Sequence, residues 1–150
     1  MKIEIVPVWK ALTPELSAEL VAFWNDQNAI RNAAEAGRRS EQVVCIARDA
    51  EGALCGVATA IVKVLPRLRQ PMYYYRQFFA PALRGQHQEL TFFQQAKRIL
   101  QDYNAGLDTP EALGILRGAP ALGAVAAALW LARHPLQANA GRIMLVAVAC

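Results

Sequence analysis

The segment PALRGQHQELTFFQQAKRIL, residues 81–100, has the composition of a turn that holds phosphate groups at the start of a helix. Arg84 and Gly85 follow a proline, and an amphipathic helical pattern comes directly after them. The main-chain N–H groups and the dipole at the start of a helix attract anions, and glycine lets the main chain approach them closely. Two positions where such a turn favours glycine nevertheless carry His87 and Glu89.

The chemistry of these two residues leaves two interpretations of the turn open. The His87 side chain can donate a hydrogen bond to a phosphate oxygen, whereas Glu89 places a carboxylate in the first turn of the helix. There the carboxylate favours the helix dipole by about 0.3–1 kcal/mol, but it opposes a pyrophosphate if it points inward. Arg84 is either a phosphate ligand or a solvated residue of the turn. The turn therefore either binds a phosphorylated cofactor or keeps only the shape of one that did.

Other reactive groups form no recognisable catalytic set in the sequence. The chain contains no Ser/His/Asp pattern, no metal-ligand spacing and no Walker-type phosphate loop. Cys45, Cys55 and Cys150 form no CxxC pair, and their odd number argues against a disulfide framework. We expect Cys45 and Cys55 to lie on strands as small buried thiols, and the protein to be cytoplasmic.

Length and composition indicate one globular domain. The chain has 150 residues, of which 55% are hydrophobic and 19% charged. Its net charge of +4 does not indicate nucleic-acid binding, because residues 1–111 contain 13 basic and 12 acidic side chains. The excess comes from residues 112–150, which contain three arginines and no acid. The local basic clusters, Arg38–Arg39 and Arg67–Arg69, are interpreted as solvated loop charge.

The first third of the chain predicts an edge strand and two helices. The segment IEIVPVW has the pattern of a strand, and Pro7 marks it as an edge strand or as the end of one. The run Thr13–Glu15 starts a helix, with a hydroxyl cap, a proline at the first helical position and an acid in the first turn. The helical stripe that follows consists of Leu16, Leu20, Phe23, Trp24 and Gln27. Residues 29–42 are polar and predict a short second helix and a loop.

The middle of the chain predicts a hairpin, an aromatic strand and a longer helix. Two β-branched runs flank Asp49–Gly52, whose glycine can adopt the positive φ of the turn. Alternation along the strand MYYYRQFF places Tyr73 and Tyr75 on one face and Tyr74 on the other. The helix after the turn ends near Gly106. Its predicted inner face consists of Leu90, Phe93, Ala96, Leu100 and Tyr103.

Residues 112–150 have a different character, with 12 alanines, no acid and no lysine. Residues 120–132 predict a helix that is apolar all round, followed by the strand RIMLVAV. Because a bilayer needs about 20 apolar residues, burial is favoured over membrane association. This composition is also what a GC-rich gene gives when it is translated in the wrong reading frame. A further hypothesis is therefore that residues after about 116 replace the original C-terminus. Together the elements predict a mixed α/β or α+β sandwich around a largely antiparallel sheet.

At FFAPALRGQHQELTFFQQAKRIL the chain resembles the Gcn5-related N-acetyltransferases, the GNAT superfamily. The signature of that family is a strand, then Val-x-Pro-x-x-Arg-Gly-x-Gly-x-Gly/Ala, then an amphipathic helix. Ala80, Pro81, Arg84 and Gly85 occupy the corresponding places in register. The capped first helix, the polar second helix and the hairpin also match, so the resemblance covers about residues 1–105.

The resemblance implies a single GNAT-like domain over residues 1–150, with a family-like body in residues 1–111 and an atypical segment after it. It implies an acyl-CoA-dependent N-acyltransferase that uses acetyl-CoA and a small-molecule or peptide amine, and a homodimer is compatible with it. The implied cofactor-binding residues are Phe79, Ala80, Arg84, Gly85, Gln86, His87, Gln88 and Glu89. The sequence does not identify the acceptor amine, because proteins of this one fold act on many different acceptors.

The chain departs from the family in its candidate general acid. The family offers an asparagine and then a tyrosine in its later strand and helix, and residues 114–135 contain neither in that arrangement. Tyr73 and Tyr75 are the remaining candidates, although aromatic residues of a strand more often belong to the core. Together with His87 and Glu89, this departure leaves a second hypothesis: a non-catalytic GNAT-like binding or scaffold module that has lost CoA.

Overall fold

The computed structural model of the chain describes residues 2–67 and 69–117. Within them lie five β-strands, three α-helices and one short 3-10 helix. The elements in chain order are β1 (Glu4–Pro7), α1 (Pro14–Asp26), α2 (Ala33–Ser40), β2 (Val43–Arg48), β3 (Leu54–Leu65), β4 (Gln70–Phe79), the 3-10 helix (Pro81–Leu83), α3 (Glu89–Ala105) and β5 (Ile115–Arg117). This order confirms the predicted sequence of elements as far as the short strand after the third helix.

The five strands form one sheet in the order β1-β2-β3-β4-β5. The first four pair with their sequence neighbours in antiparallel fashion. Next to β4, the N–H of Leu113 donates to the carbonyl of Pro71 at 2.9 Å, and the N–H of Tyr73 donates to the carbonyl of Gly114 at 2.8 Å. Residue numbers rise together along both segments, which is the parallel sense, and α3 is the crossover between them. The predicted, largely antiparallel sheet is confirmed.

Helices cover both faces of the sheet and divide the core into two layers. On one face α1 and α2 pack against inward residues of β2 and β3. The buried members of this layer include Leu20, Phe23, Trp24, Ile30, Ala36, Val43, Ile46 and Val57. On the other face α3 packs against the sheet, and the buried members there include Val44, Ala47, Ala58, Ala60, Tyr73, Tyr75, Phe79, Phe92, Ala96 and Leu100.

Local signals in the sequence locate the first two helices and the hairpin correctly. The hydroxyl of Thr13 accepts a hydrogen bond from the N–H of Leu16 at 3.2 Å, which caps α1 as predicted. The side chain of Asn32 caps α2 by accepting from the N–H of Glu35 at 3.1 Å. Gly52 closes the hairpin with φ of +83°, a conformation that glycine adopts without a side-chain penalty.

The inner face of α3 differs in part from the predicted one. Ala96 and Leu100 are buried as predicted, but Leu90 is 57% exposed and Phe92 is fully buried in its place. The reason is tertiary, because the ring of Phe92 packs against Phe79 with the centroids 5.0 Å apart. Helical periodicity allows either Leu90 or Phe92 on the inner face. Phe92 is the buried one because it packs against the ring of Phe79 on β4.

The end of α3 agrees with the sequence in position but not in conformation. Gly106 is the C-cap residue, as predicted, and its N–H donates to main-chain carbonyls of the last turn. Its φ is −82°, so it does not adopt the left-handed conformation that favours glycine at this place. The helix therefore ends in a right-handed turn.

The predictions for the Ala-rich segment lie outside the described residues. They comprise the helix at 120–132, the strand at 142–148, Cys150 and the hypothesis of a replaced C-terminus. Of the helices in residues 2–67 and 69–117, none combines the length and the apolar character needed to cross a membrane.

Alanine substitution at two glycines is expected to change stability in opposite directions. A Cβ at Gly56 would lie 2.7 and 2.8 Å from two ring atoms of Phe79 and 3.1 Å from the Cβ of Ala47. Gly56→Ala should therefore lower the free energy of unfolding by about 1–3 kcal/mol through overpacking. Gly37, inside α2, has no atom within 4 Å of such a Cβ, so Gly37→Ala should raise it by about 0.5–1 kcal/mol. Chemical denaturation measures both, and an unchanged or raised free energy of unfolding for Gly56→Ala would contradict this account of Gly56.

Candidate functional site

The turn between β4 and α3 is fixed to the core at both of its ends. At its start, the N–H of Ala80 donates to the carbonyl of Cys55 at 2.9 Å. The short 3-10 helix after it ends at Leu83, whose side chain is buried in the same layer as Phe79 and Phe92. The turn therefore has a fixed position relative to the end of β4 and the start of α3.

Two residues of the turn adopt left-handed main-chain conformations. Gly85 has φ of +75° and His87 has φ of +56°. The first is the ordinary use of glycine, whereas histidine reaches this region less often and at some cost. His87 thus has a main-chain conformation that glycine adopts more easily, at a position where the resemblance predicts glycine.

The start of α3 leaves main-chain donors without protein partners. Gln88 is the N-cap residue, and its side chain makes no capping hydrogen bond. Within the described part of the chain, the N–H groups of Gly85, His87 and Gln88 donate to no protein acceptor. The first-turn N–H groups of any helix also lack intrahelical acceptors. An anion can therefore accept several main-chain hydrogen bonds at this place, at the positive end of a helix of 17 residues.

The charged side chains of the turn have two different arrangements. Arg84 folds back onto the strand, where its Nε donates to the carbonyl of Phe79 at 3.0 Å and its guanidinium lies 5.3 Å from the centroid of the Phe78 ring. It thus ties the turn to the end of β4. Glu89 is the first residue of α3 and is partly buried, so it adds a negative charge to the first helical turn. Whether these residues contact a cofactor stays a prediction.

The end of β4 directs main-chain groups toward the edge of the sheet that faces β5. The bond from Ala80 to Cys55, together with the register of Gly56 opposite Phe79, shows that even-numbered residues of β4 bond to β3. The main-chain N–H and carbonyl groups of the odd-numbered residues point to the opposite edge, as the N–H of Tyr73 does. Within the described residues, β5 comprises Ile115–Arg117 and starts beside the beginning of β4.

The two tyrosines predicted as candidates for catalysis lie in the core beneath α3. Each is 2% exposed. The hydroxyl of Tyr73 donates to Glu111 Oε1 at 2.7 Å, and burial together with this bond raises the pKa of Tyr73 far above its ordinary value. The hydroxyl of Tyr75 donates to Gln77 Oε1 at 2.9 Å. Tyr73 is about 20 Å along the strand from Phe79. A catalytic role for either tyrosine stays a prediction.

The cysteines of β2 and β3 are buried thiols, as predicted. Burial raises the pKa of Cys45 to about 12. Burial also raises the pKa of Cys55, whose Sγ donates to the carbonyl of Ala47 at 3.3 Å. Both thiols are therefore protonated near neutral pH and poorly suited to nucleophilic attack. Among the described residues, no three His, Cys, Asp or Glu side chains come together in a group that could hold a metal ion.

Other cavities among the described residues lie outside the turn. One, of about 560 Å³, lies between the second half of α3 and residues 110–115, and no residue of the turn lines it. Two smaller cavities of about 220 and 230 Å³ lie on the face covered by α1 and α2, and Arg39 and Arg76 line both. The interpretation of Arg38 and Arg39 as solvated loop charge is wrong in its placement, because both lie in the last turn of α2 and Arg39 pairs with Glu35. Arg76 was not predicted as a site residue. The sequence feature that could have identified Arg76 is its place in the middle of a strand, among aromatic residues.

Comparison with solved structures identifies the fold. No protein-family model matches the chain, and no curated protein matches it. A predicted acetyltransferase with acetyl-CoA from Clostridium acetobutylicum matches with a TM-score of 0.55 and 13% identity over 92% of both chains. An aminoglycoside N-acetyltransferase in complex with CoA matches with a TM-score of 0.53 and 11% identity, over 92% of this chain and 90% of the other.

A third match is glucosamine-6-phosphate N-acetyltransferase from Arabidopsis thaliana, with a TM-score of 0.52 and 10% identity, over 85% of this chain and 88% of the other. Identities this low show the fold alone. The chain therefore has the GNAT fold, and the fold predicted from its sequence is confirmed.

Substitutions at the two left-handed residues of the turn test its conformation. A Cβ at Gly85 would meet no atom within 4 Å, so the effect of Gly85→Ala is conformational. It should lower the free energy of unfolding by about 1 kcal/mol, because the penalty at positive φ exceeds the gain from a stiffer unfolded chain. His87→Gly removes the conformational penalty of a positive φ and should leave the free energy of unfolding unchanged or raise it slightly. Equal losses from both variants in chemical denaturation would show that His87 is not held in this conformation.

Proposed function

We propose that this chain is an acyl-CoA-dependent N-acyltransferase that uses acetyl-CoA as its acyl donor. The observation that carries the proposal is the set of main-chain N–H groups without acceptors, at Gly85, His87 and Gln88, in front of α3 on a GNAT fold. Two of the matched proteins were solved with acetyl-CoA or CoA, which supports a ligand of this kind. The donors suit a pyrophosphate, which carries several acceptor oxygens and negative charge.

Different residues around the turn would bind different parts of the acyl donor. The N–H groups from Gly85 to the first turn of α3 would hold the pyrophosphate. The main-chain groups of Gln77 and the N–H of Phe79 point to an edge where the amide groups of a pantetheine arm would bond as a strand does, while the Phe79 carbonyl accepts from Arg84. Arg84 holds the turn against Phe79 and so keeps these two regions at a fixed distance. Bound acetyl-CoA supplies an activated thioester.

The chain contributes to the reaction mainly by holding the reactants in position. The nitrogen of the acceptor amine forms the new C–N bond while the C–S bond breaks, and the proton lost by the amine is balanced by the proton gained by the thiol of CoA. A main-chain N–H aimed at the acyl carbonyl oxygen stabilises the charge that develops there. Positioning of this kind lowers the barrier without a dedicated acid, because the reaction becomes effectively unimolecular.

Calorimetric titration of acetyl-CoA and of free CoA into the purified chain tests the proposal directly. A dissociation constant at or below roughly 100 μM, which corresponds to about −5.5 kcal/mol, is the expected result. A thermal-shift measurement serves as the control for heat that does not come from binding. If neither heat nor a shift is observed at millimolar cofactor, the acyltransferase proposal is wrong and a GNAT-shaped module without CoA remains.

Removal of the carboxylate at the start of α3 is expected to strengthen cofactor binding. Glu89→Gln takes one negative charge away from the pyrophosphate site, so the affinity for acetyl-CoA should rise about fivefold, as expected for a solvent-screened repulsion of about 1 kcal/mol. Glu15→Gln is the matched control, since Glu15 lies in the first turn of α1.

Both variants lose a favourable contact with a helix dipole, so both should lower the free energy of unfolding by a similar amount, about 0.3–1 kcal/mol. Only Glu89→Gln should change the affinity for acetyl-CoA. Equal affinities for all three proteins would place the pyrophosphate elsewhere.

A further inference from the structure

The face of the sheet opposite α3 contains a basic pocket, formed by the two smaller cavities that share Arg39 and Arg76. One cavity is lined by Trp24, Ala29, Ile30, Arg39, Val57, Thr59, Arg76, Gln77 and Phe78. The other is lined by Glu35, Arg38, Arg39, Gln42, Ile61, Lys63 and Arg76. We use "basic pocket" for these two cavities together. Among the described residues, four cationic side chains line the basic pocket, whereas the carboxylate of Glu35 is the only anionic group that does so.

Arg76 is the central residue of the basic pocket and has no counter-ion among the described residues. One terminal nitrogen donates to Gln42 Oε1 at 2.6 Å, and the guanidinium lies 5.5 Å from the centroid of the Tyr74 ring. Its Nε is buried and has no hydrogen-bond partner in the part of the chain that the structure describes. Burial and the neighbouring guanidinium of Arg39 lower the pKa of Arg76. Arg39 itself is paired with Glu35 at 2.8 Å.

A partly buried cation of this kind is unfavourable unless an anion binds to it. Burial of a charge without a partner costs free energy, and an unsatisfied buried donor in a native structure requires an explanation. Trp9 Nε1 is also a buried donor without a partner in the described residues, but it is neutral and its burial costs less. The planar fork of an arginine fits a pair of oxygens on one carboxylate or phosphate group. An oxyanion would supply both an acceptor for the guanidinium and the missing negative charge.

The position of the basic pocket relates it to the proposed cofactor site. Phe78 and Gln77 line the pocket, and the main chain of Gln77 also points to the edge proposed for the pantetheine arm. Trp24, Ile30 and Val57 give the same cavity an apolar wall. A ligand that holds its acid at Arg76 would thus have its remaining atoms beside the middle of β4.

We propose that the basic pocket binds the acceptor, and that the acceptor is an amine that also carries a carboxylate or phosphate group, which Arg76 and Arg39 recognise. The assignment of this molecule as the acceptor rests on the acyltransferase function proposed above. The cavity of about 220 Å³ beside the apolar wall limits the acceptor to a small molecule or a chain end.

The first test measures anion binding without acetyl-CoA. In the 16.5 kDa chain, the Nε–Hε resonance of Arg76 can be assigned by its loss in Arg76→Gln and followed by NMR during titration. Inorganic phosphate and acetate are the probes, with chloride at equal ionic strength as the reference. We expect one or both oxyanions to shift this resonance in a saturable way at millimolar concentration, and the preferred probe distinguishes a phosphate site from a carboxylate site. If neither acts differently from chloride, the proposal is wrong.

The second test measures acetyl transfer to matched amines. Leucine is compared with 3-methylbutylamine, which lacks the carboxylate, and O-phosphoethanolamine with ethanolamine, which lacks the phosphate. Release of free CoA should be at least about 10-fold faster for the acid-bearing member of the preferred pair at subsaturating amine. Arg76→Gln should remove this difference. Arg98→Gln, the same change at an exposed residue of α3, should keep it within about twofold.

The two tests separate this inference from the proposed function. Arg76→Gln should fold with unchanged or raised thermal stability, because it removes a charge without a counter-ion, so loss of anion binding cannot be attributed to unfolding. If acetyl-CoA binds but acid-bearing amines have no advantage, the acceptor assignment is wrong and the acyltransferase stands. If oxyanions bind at Arg76 but acetyl-CoA does not bind, the anion site stands and its role as an acceptor site is wrong.

Discussion

The contact among Gly56, Phe79 and Phe92 is the constraint on which the candidate site depends. The ring of Phe79 occupies the space that a side chain at Gly56 would fill, and the ring of Phe92 packs against its other side. This contact fixes the first turn of α3 beside the last residue of β4. Because the residues between them have a fixed distance to cover, the main chain turns tightly and adopts positive φ at Gly85 and His87. The free N–H groups of the turn are thus a consequence of core packing.

The alternation of β4 lets one strand contribute to both proposed sites. Odd-numbered residues place their side chains beneath α3 and their main-chain groups at the edge facing β5, whereas Tyr74, Arg76 and Phe78 lie on the face of α1 and α2. The polyamide part of a cofactor and the acid of an acceptor would therefore be held on the same short stretch of strand. A register shift of one residue would exchange the two faces and destroy both sites.

Local signals determine what the sequence could predict. The hydroxyl cap of α1, the hairpin glycine and strand alternation act within a few residues, and the corresponding elements were predicted correctly. The choice of Phe92 over Leu90 for the core depends on a ring of another element, so periodicity alone could not make it. The sequence shows His87 only as a departure from glycine, since side-chain identity does not reveal φ. The burial of Arg76 without a carboxylate depends on four elements that meet in space, and it leaves no local pattern.

Strained or unsatisfied groups mark a functional site only where the fold itself does not account for them. Lys10 and Asn28 also have positive φ, but the ammonium group of Lys10 lies over the ring of Trp9, and Asn28 follows the end of α1, where such a conformation is common. His87 and Arg76 differ, because the first lies among donors without acceptors and the second has a buried donor and no counter-ion. Natural sequences tolerate such local conflicts mainly where a ligand resolves them. In the two proposals, negatively charged oxygen would resolve both conflicts: the pyrophosphate of an acyl donor at the turn, and the acid of an acceptor at Arg76.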